Sequence, residues 1–260
     1  MDLIEAKSLV HNRHPWELAR ATFFNRLILG VVERNKPVRV LDVGCGDAWF
    51  SAQLFPRLPA GSELIGWDIA LDDSLLRLYS SELPEGMTLT NREPAGPFDF
   101  ILSMDVLEHV RDDLAMVADL KERFLRSGGF FVINVPAWLS LFSTQDLALK
   151  HYRRYTPREG KTLVNAAGLT LLKSGGLFHG LLGIRVIQRM LFWNRVEPRA
   201  DPESYVHTGK PVGLGAWNAS VPVTAFVTGV LQAEGLLTRA AAAAHLKLPG
   251  LSWWALCEKP

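Results

Sequence analysis

Cysteine is scarce in this chain: Cys45 and Cys257 are the two among 260 residues. Thiols so far apart make no disulfide framework and have no metal-ligand spacing, so a reduced, cytoplasmic setting is the expectation. An excess of either charge is also missing, since 28 Lys plus Arg against 27 Asp plus Glu leave a formal net charge of +1. No global field draws such a chain to nucleic acid, and no basic stripe accompanies it. A nucleic-acid partner is therefore not expected, and a charged ligand has to be met locally. Residues 1–14 contain acidic side chains and no long apolar run, which argues against a secretory leader. The apolar stretch Leu177–Trp193 is interrupted by His179, Arg185, Gln188 and Arg189, so a membrane-spanning helix is not expected there. Lying on a membrane surface remains open. Internal repeats and low-complexity tails are absent as well.

What is present is a large apolar fraction, 48%, against 21% charged residues, enough for one large core. Short apolar runs alternate with helical stretches, the signature of a parallel sheet covered on both faces. Strands are predicted at Val38–Val43, Glu63–Asp68, Met87–Thr90, Phe98–Met104, Phe130–Val135, Leu169–Lys173 and Ser252–Glu258. Helices are predicted at Pro15–Val32, Trp49–Leu58, Leu71–Ser80, Asp112–Phe124 and Pro157–Ala167. The fold class is thus α/β, Rossmann-like, with a seven-stranded, mostly parallel sheet. Gly175–Gly250 is far longer than the roughly 2–5 residues of a hairpin turn, so it reads as a mostly helical insertion between the last two strands. It holds Leu177–Trp193, a Pro/Gly-rich connector at Pro198–Pro222 and an Ala-rich helix at Val223–Leu246. The predicted division is residues 1–174 plus 251–260 as the main domain and 175–250 as a substrate cover or membrane-contact segment.

The strongest local signal is the β-branched run that feeds into Asp42-x-Gly44-x-Gly46 ahead of a helix. Glycines there permit a tight turn and a close approach of backbone to ligand, and the helix start offers N–H groups to an anion. A dinucleotide fingerprint would put its third glycine at position 49, which is Trp49. Asp68 closes the second predicted strand, where a carboxylate accepts ribose hydroxyls; the alternative is a helix cap. Ile69 beside it is placed to pack on an adenine.

The loop resembles the acid-x-Gly-x-Gly-x-Gly turn of class I S-adenosylmethionine-dependent methyltransferases, with Ala48 where the last glycine would stand. Asp105-Val-Leu-Glu-His-Val110, together with Ser127-Gly-Gly129, Val135-Pro-Ala137, His151-Tyr-Arg-Arg-Tyr-Thr156 and Leu248-Pro-Gly-Leu-Ser252, resembles the "DVLEHV" group of the ubiquinone-biosynthesis type. His14-Pro-Trp-Glu-Leu-Ala-Arg20 looks like the opening helix of the same group. The resemblance implies S-adenosylmethionine as cofactor. Asp42, Gly44, Cys45, Gly46 and Asp47 would meet its methionyl portion, and Ser103, Met104 and Asp105 would border the sulfonium. Many relatives carry an acid after the third strand for the adenine amino group; Asn91 is the residue here that would substitute for it.

Asp105, Glu108 and His109 are spaced to share one face of a helical turn. Some quinone-pathway relatives use a comparable cluster for a divalent metal; the plainer reading is acids at a helix start with His109 packed beneath. A metal is not the expectation. His109 and His151 are the candidate catalytic bases, since an imidazole titrates in the useful range for a hydroxyl acceptor. Arg153, Arg154 and Tyr155 are candidate lid residues over the substrate, with Trp16 and Arg20 closing the opposite side. Arg185 and Arg189 punctuate an apolar helix that suits either packing or a lipid-like partner.

The expected function is methyl transfer to an oxygen or nitrogen of a small, amphipathic or lipid-linked molecule. The alternatives are a non-catalytic module that binds the same cofactor, and a nicotinamide oxidoreductase, which Trp49 disfavours.

Overall fold

The computed structural model describes residues 13–191, 202, 217, 219–244 and 246–260. Seven strands form one sheet: β1 (Arg39–Val43), β2 (Glu63–Trp67), β3 (Met87–Thr90), β4 (Phe98–Met104), β5 (Leu125–Pro136), β6 (Thr170–Leu177) and β7 (Ser252–Glu258). Their order is β3-β2-β1-β4-β5-β7-β6. The pairs among β1 to β5 are parallel, and β7 runs antiparallel to both β5 and β6. Every residue of β4 is buried, as a central strand covered on both faces requires.

Side-chain alternation divides the core between the two faces. One face packs Val40, Phe100, Leu102, Val132 and Trp254 against Phe23, Phe24 and Ile28 of α1 (Pro15–Leu29) and Phe50 and Leu54 of α2 (Trp49–Leu54). The other packs Leu41, Ile101, Phe131, Ile133 and Trp253 against Val117, Leu120 and Phe124 of α4 (Asp113–Phe124) and Leu163 and Val164 of α6 (Pro157–Ala166). Adjacent Trp253 and Trp254 thus serve opposite cores, the period of two made visible. Each such side chain contributes roughly 1.5–3 kcal/mol by leaving water.

Caps explain the helix starts. His14 and Glu17 form a reciprocal box at the head of α1, with Pro15 just inside; Thr156 and Glu159 do the same for α6. Asp72 caps α3 (Asp73–Ser80), and Asp112 caps α4 by accepting from Ala115 N at 3.0 Å. The helix expected at Trp49–Leu58 is shorter: α2 ends at Leu54 and a 3-10 turn covers Phe55–Arg57. Pro56 brings no N–H to continue it. β6 runs on to Leu177, past the boundary drawn at 174/175.

Between β6 and β7 lie α7 (His179–Leu191) and α8 (Val221–Ala243). Most of the Pro/Gly-rich connector and the end of the apolar stretch at Trp193 fall outside the described residues. α8 packs on α1: Leu231 is buried in the first core, and Gln232 Nε2 donates to Thr22 Oγ1 at 3.0 Å. By length and composition α8 is apolar enough to cross a membrane, which the sequence reading of its neighbour had not foreseen. No residue of α7 is fully buried.

Candidate active site

Parallel strands that diverge leave a crevice at their carboxyl ends, here where the order reverses between β1 and β4. A cleft of about 430 Å³ opens there, lined by Gly44, Trp67, Asp68, Ile69, Asp105, Val106, His109 and Met116 among others. Gly44 holds φ +64° and donates to Trp67 O at 2.7 Å. A Cβ at Gly44 would stand 2.6 Å from Val106 Cγ2, so only glycine fits this turn. Gly46 N donates to Asp68 Oδ2 at 2.9 Å, and Ala70 N donates to Oδ1 at 2.9 Å. Asp68 therefore both lines the cleft and braces the glycine turn. Ile69, 83% exposed, offers a bare apolar side chain to it. Ala48 occupies the left-handed region at φ +58°, where the related loops place glycine.

Several residues expected to touch a cofactor make contacts within the protein. Asp42 lies beneath the loop, accepting from Ser51 Oγ at 2.6 Å, with its other oxygen unpartnered. Burial pushes its carboxyl up to about 6, opposed by the Ser51 hydrogen bond. Cys45 turns its thiol into the core, where burial holds it well above the ordinary range as a neutral group. Asp47 is buried and paired with Arg13 at 2.7 Å. Asn91 spends its amide on Leu71 O at 2.8 Å, away from the cleft. Ser103 and Met104 are buried within β4, so the strand's approach to the cleft is made by Asp105.

Asp105 is the junction of the site. Its backbone stands at φ +61°, and its N–H donates to Asn134 O at 2.9 Å. Its carboxylate accepts from Asn134 Nδ2 at 2.5 Å and pairs with the buried Arg20 guanidinium. Arg20 in turn lies 4.1 Å from the Trp16 ring centre. An anion on a strained corner is thus held from two sides, by groups 85 and 29 residues away in the chain.

On the far side of Asp105 lies a second cavity of about 380 Å³. Trp16, Leu149, Leu181, Ile184 and Leu251 give it apolar walls, and Asp105, Glu108, His109, His151, Arg154 and Arg185 give it polar ones. Asp105 and His109 line both spaces. His151 Nδ1 sits 3.1 Å from Asp146 Oδ1, and Arg154 Nε donates to the same oxygen at 2.7 Å. Burial opposes the Asp146 charge, but the His151 and Arg154 hydrogen bonds win and hold its carboxyl well below the usual range. An ionised Asp146 fixes the His151 proton on Nδ1 and leaves Nε2 as an acceptor. The His109 ring meets His151 edge-on at 4.5 Å. Burial, then the neighbouring His151, lowers its pKa to about 3, so His109 is neutral. Burial pushes the Glu108 carboxyl up to about 8.

The expected helical face of Asp105, Glu108 and His109 does not form, because Leu107–His109 is a 3-10 turn that begins after Asp105. Ligand atoms of Glu108, His109 and His151 lie within 4.8 Å of one another instead, a set able to hold a divalent cation. Of the expected lid residues, only Arg154 reaches the cavity. Arg153 is drawn to Asp113 at 2.8 Å, and Tyr155 is buried in the second core with its hydroxyl donating to Asp113 at 2.7 Å. The cavity also recruits Gln145 and Gln188, while Asn134 and Asp146 orient its charged groups. For Asp146 a signal existed: Ser143-x-x-Asp146 is a capping box, and it holds α5 (Thr144–Ala148) in place.

A family profile described as "Methyltransferase domain" matches residues 13–174. The ubiquinone biosynthesis O-methyltransferase of Ruegeria sp. is 31% identical over 154 residues, covering 54% of this chain and 60% of that protein. Its counterpart from Cereibacter sphaeroides is 32% identical over 106 residues, covering 37% and 40%. The chain thus spans about half the length of these curated relatives. A SAM-dependent methyltransferase from Archaeoglobus fulgidus shares the fold at a TM-score of 0.52 and 14% identity, over 94% of both chains.

Proposed function

This chain belongs to the class I S-adenosylmethionine-dependent methyltransferases, and from that premise we propose that it methylates an oxygen or nitrogen of a small, amphipathic or lipid-linked acceptor. The observation that carries the proposal is the shared wall: one cleft at the glycine turn and one largely apolar cavity meet at Asp105 and His109.

The first space fits the cofactor. Gly44 clears the backbone, the Asp68 carboxylate faces a ribose, Ile69 offers a bare face to adenine, and the unpartnered Asp42 oxygen is a buried acceptor beneath the turn. S-adenosylmethionine supplies an electrophilic methyl on a sulfonium sulfur. The residues here align rather than activate it, since in-line displacement depends chiefly on orientation. Asp105, fixed by Arg20 and Asn134, places a negative charge at the junction.

His151 is the proposed base. With Nδ1–H tied to Asp146, its Nε2 would hold the proton of the acceptor hydroxyl that a bound S-adenosylmethionine would methylate. His109 is proposed as a neutral hydrogen-bonding partner for that hydroxyl, since its lowered pKa makes it a poor base. A base beside the acceptor favours oxygen over nitrogen. The apolar walls from Trp16, Leu149, Leu181 and Leu251 support an amphipathic body. α7 lines the cavity with Leu181 and Ile184 while presenting exposed Ile187, Met190 and Leu191 outward, which supports contact with a lipid surface.

A screen of amphipathic phenols, quinols and amines with methyl-labelled cofactor tests the reading. Label is expected in an oxygen-methylated product and to vanish when His151 is replaced. Tight cofactor binding with no transfer to any acceptor class would favour the non-catalytic alternative.

A further inference from the structure

The substrate cavity holds one guanidinium whose side-chain hydrogen bonds go to neutral amides. Asp105 is already claimed by Arg20 and Asn134. Asp146 is shared between Arg154 and His151, and Arg154 Nη1 also donates to Ala137 O at 3.3 Å. Arg185 is left facing amides: Nη2 donates to Gln145 Oε1 at 2.8 Å and Nη1 to Gln188 Oε1 at 3.5 Å. Among the described residues no carboxylate pairs with it. Burial, and after it the nearby Arg154 charge, lower its pKa against the opposing charge of Asp146. It remains charged, because an arginine in a protein does not give up its proton.

A half-buried guanidinium whose hydrogen-bond partners are neutral amides is a poor arrangement for stability and a good one for a ligand. Its planar fork matches the two oxygens of a carboxylate or phosphate, and flanking amides keep it aimed without neutralising it. The rest of the wall (Trp16, Leu149, Leu181, Ile184, Leu251) cannot solvate such a group. We infer that Arg185, with Arg154 beside it and Gln145 and Gln188 as its supports, forms an anion subsite in this cavity, and that the methyl acceptor carries a carboxylate or phosphate on an otherwise apolar frame. This rests on the methyltransferase reading only in naming the ligand as acceptor. The anion itself is read from the side chains.

The test is calorimetric binding of phenylacetate and phenyl phosphate to the full chain, with phenylacetamide as the neutral comparison and S-adenosylmethionine titrated separately. Both anions should bind at least ten-fold more tightly than the amide. Arg185→Gln should weaken the anions by about 10–100-fold, the range of one lost charge-assisted pair. Arg185→Lys should recover part of that loss. S-adenosylmethionine affinity should stay level in both variants, which also shows that they fold. Equal binding of anion and amide, or anion binding indifferent to Arg185→Gln, overturns the subsite and leaves the methyltransferase function standing. Anion binding through Arg185 without cofactor binding does the reverse. Two further arms separate the sources of the anion. Inorganic phosphate should bind more weakly than phenyl phosphate; parity would refute the apolar frame. Arg185-dependent capture by phosphatidylglycerol vesicles, with no binding of the free anions, would place Arg185 on a lipid surface and refute the cavity site.

Discussion

Replacing Gly44 by alanine puts a methyl group 2.6 Å from Val106 Cγ2 and 3.2 Å from Cγ1, on a backbone held at φ +64°. Two costs arise and they are separable. The left-handed conformation costs an alanine about 1–2 kcal/mol. The overlap with Val106 adds about 1–3 kcal/mol, as overpacking in a close-packed wall does. Val106 borders the cofactor cleft, so a shifted Val106 also narrows the space that the ligand enters. Gly44→Ala should therefore lose about 2–5 kcal/mol of stability and bind S-adenosylmethionine more weakly. The companion variant is Val106→Ala. It removes both γ-carbons and leaves Cβ at 3.5 Å from the new methyl, ordinary contact distance. In the double variant the overlap disappears and the dihedral strain remains. Urea unfolding and cofactor calorimetry on all four proteins close the cycle, with a coupling of about 1–3 kcal/mol expected. Additive losses, or a Gly44→Ala protein as stable and as tight-binding as the parent, would refute the claim that this turn is built around a missing Cβ.

Asp68→Ala removes the acceptor of Gly46 N and of the proposed ribose hydroxyls, so calorimetry should show cofactor binding weakened by about 1.5–3 kcal/mol for each bond lost. Unchanged affinity would move the ribose elsewhere. His151→Ala should lower kcat by about 10²–10⁴-fold with cofactor affinity intact; equal loss of both would mean a structural role. Asp42 has a folded pKa raised from 3.8 to about 6, so its contribution to stability is fully present below pH 3.8 and is lost as pH rises through 6. Asp42→Asn should therefore flatten the profile across that window, making the variant about 2 kcal/mol more stable relative to the parent at pH 7 than at pH 4. Unfolding curves at the two pH values check the sign. Ile187→Glu with Met190→Glu should reduce cosedimentation with phospholipid vesicles while leaving cofactor binding alone; undiminished sedimentation would remove α7 from the lipid contact.

Local chemistry was legible in the residue order. The run Phe98–Met104, apolar except for Asp99 and Ser103, read as a buried strand, and its neighbours carried the same short-run signature. Gly44 and Gly46 announced a turn closed to side chains, and Asp68 at the end of the next strand announced a carboxylate beside it, whose bond to Gly46 N only the structure showed. Pro15 and Thr156 marked helix starts through backbone rules that need no partner from elsewhere. These signals act within a few residues, so the order of the amino acids is sufficient to state them.

Which polar groups face a ligand, and which hold up their neighbours, was decided by packing. Asn91, Arg153 and Tyr155 all have the chemistry of site residues, yet each finds a partner elsewhere and turns away. Arg20 meets Asp105, and His151 meets His109, because α1 and the segment after β5 come together over the end of β4. Arg185 is set apart by the same process: folding carries it to a cavity where its hydrogen bonds go to the amides of Gln145 and Gln188. Charge pairing and desolvation are properties of positions in space, and residues distant in the chain acquire them only once the sheet and its covering helices have closed.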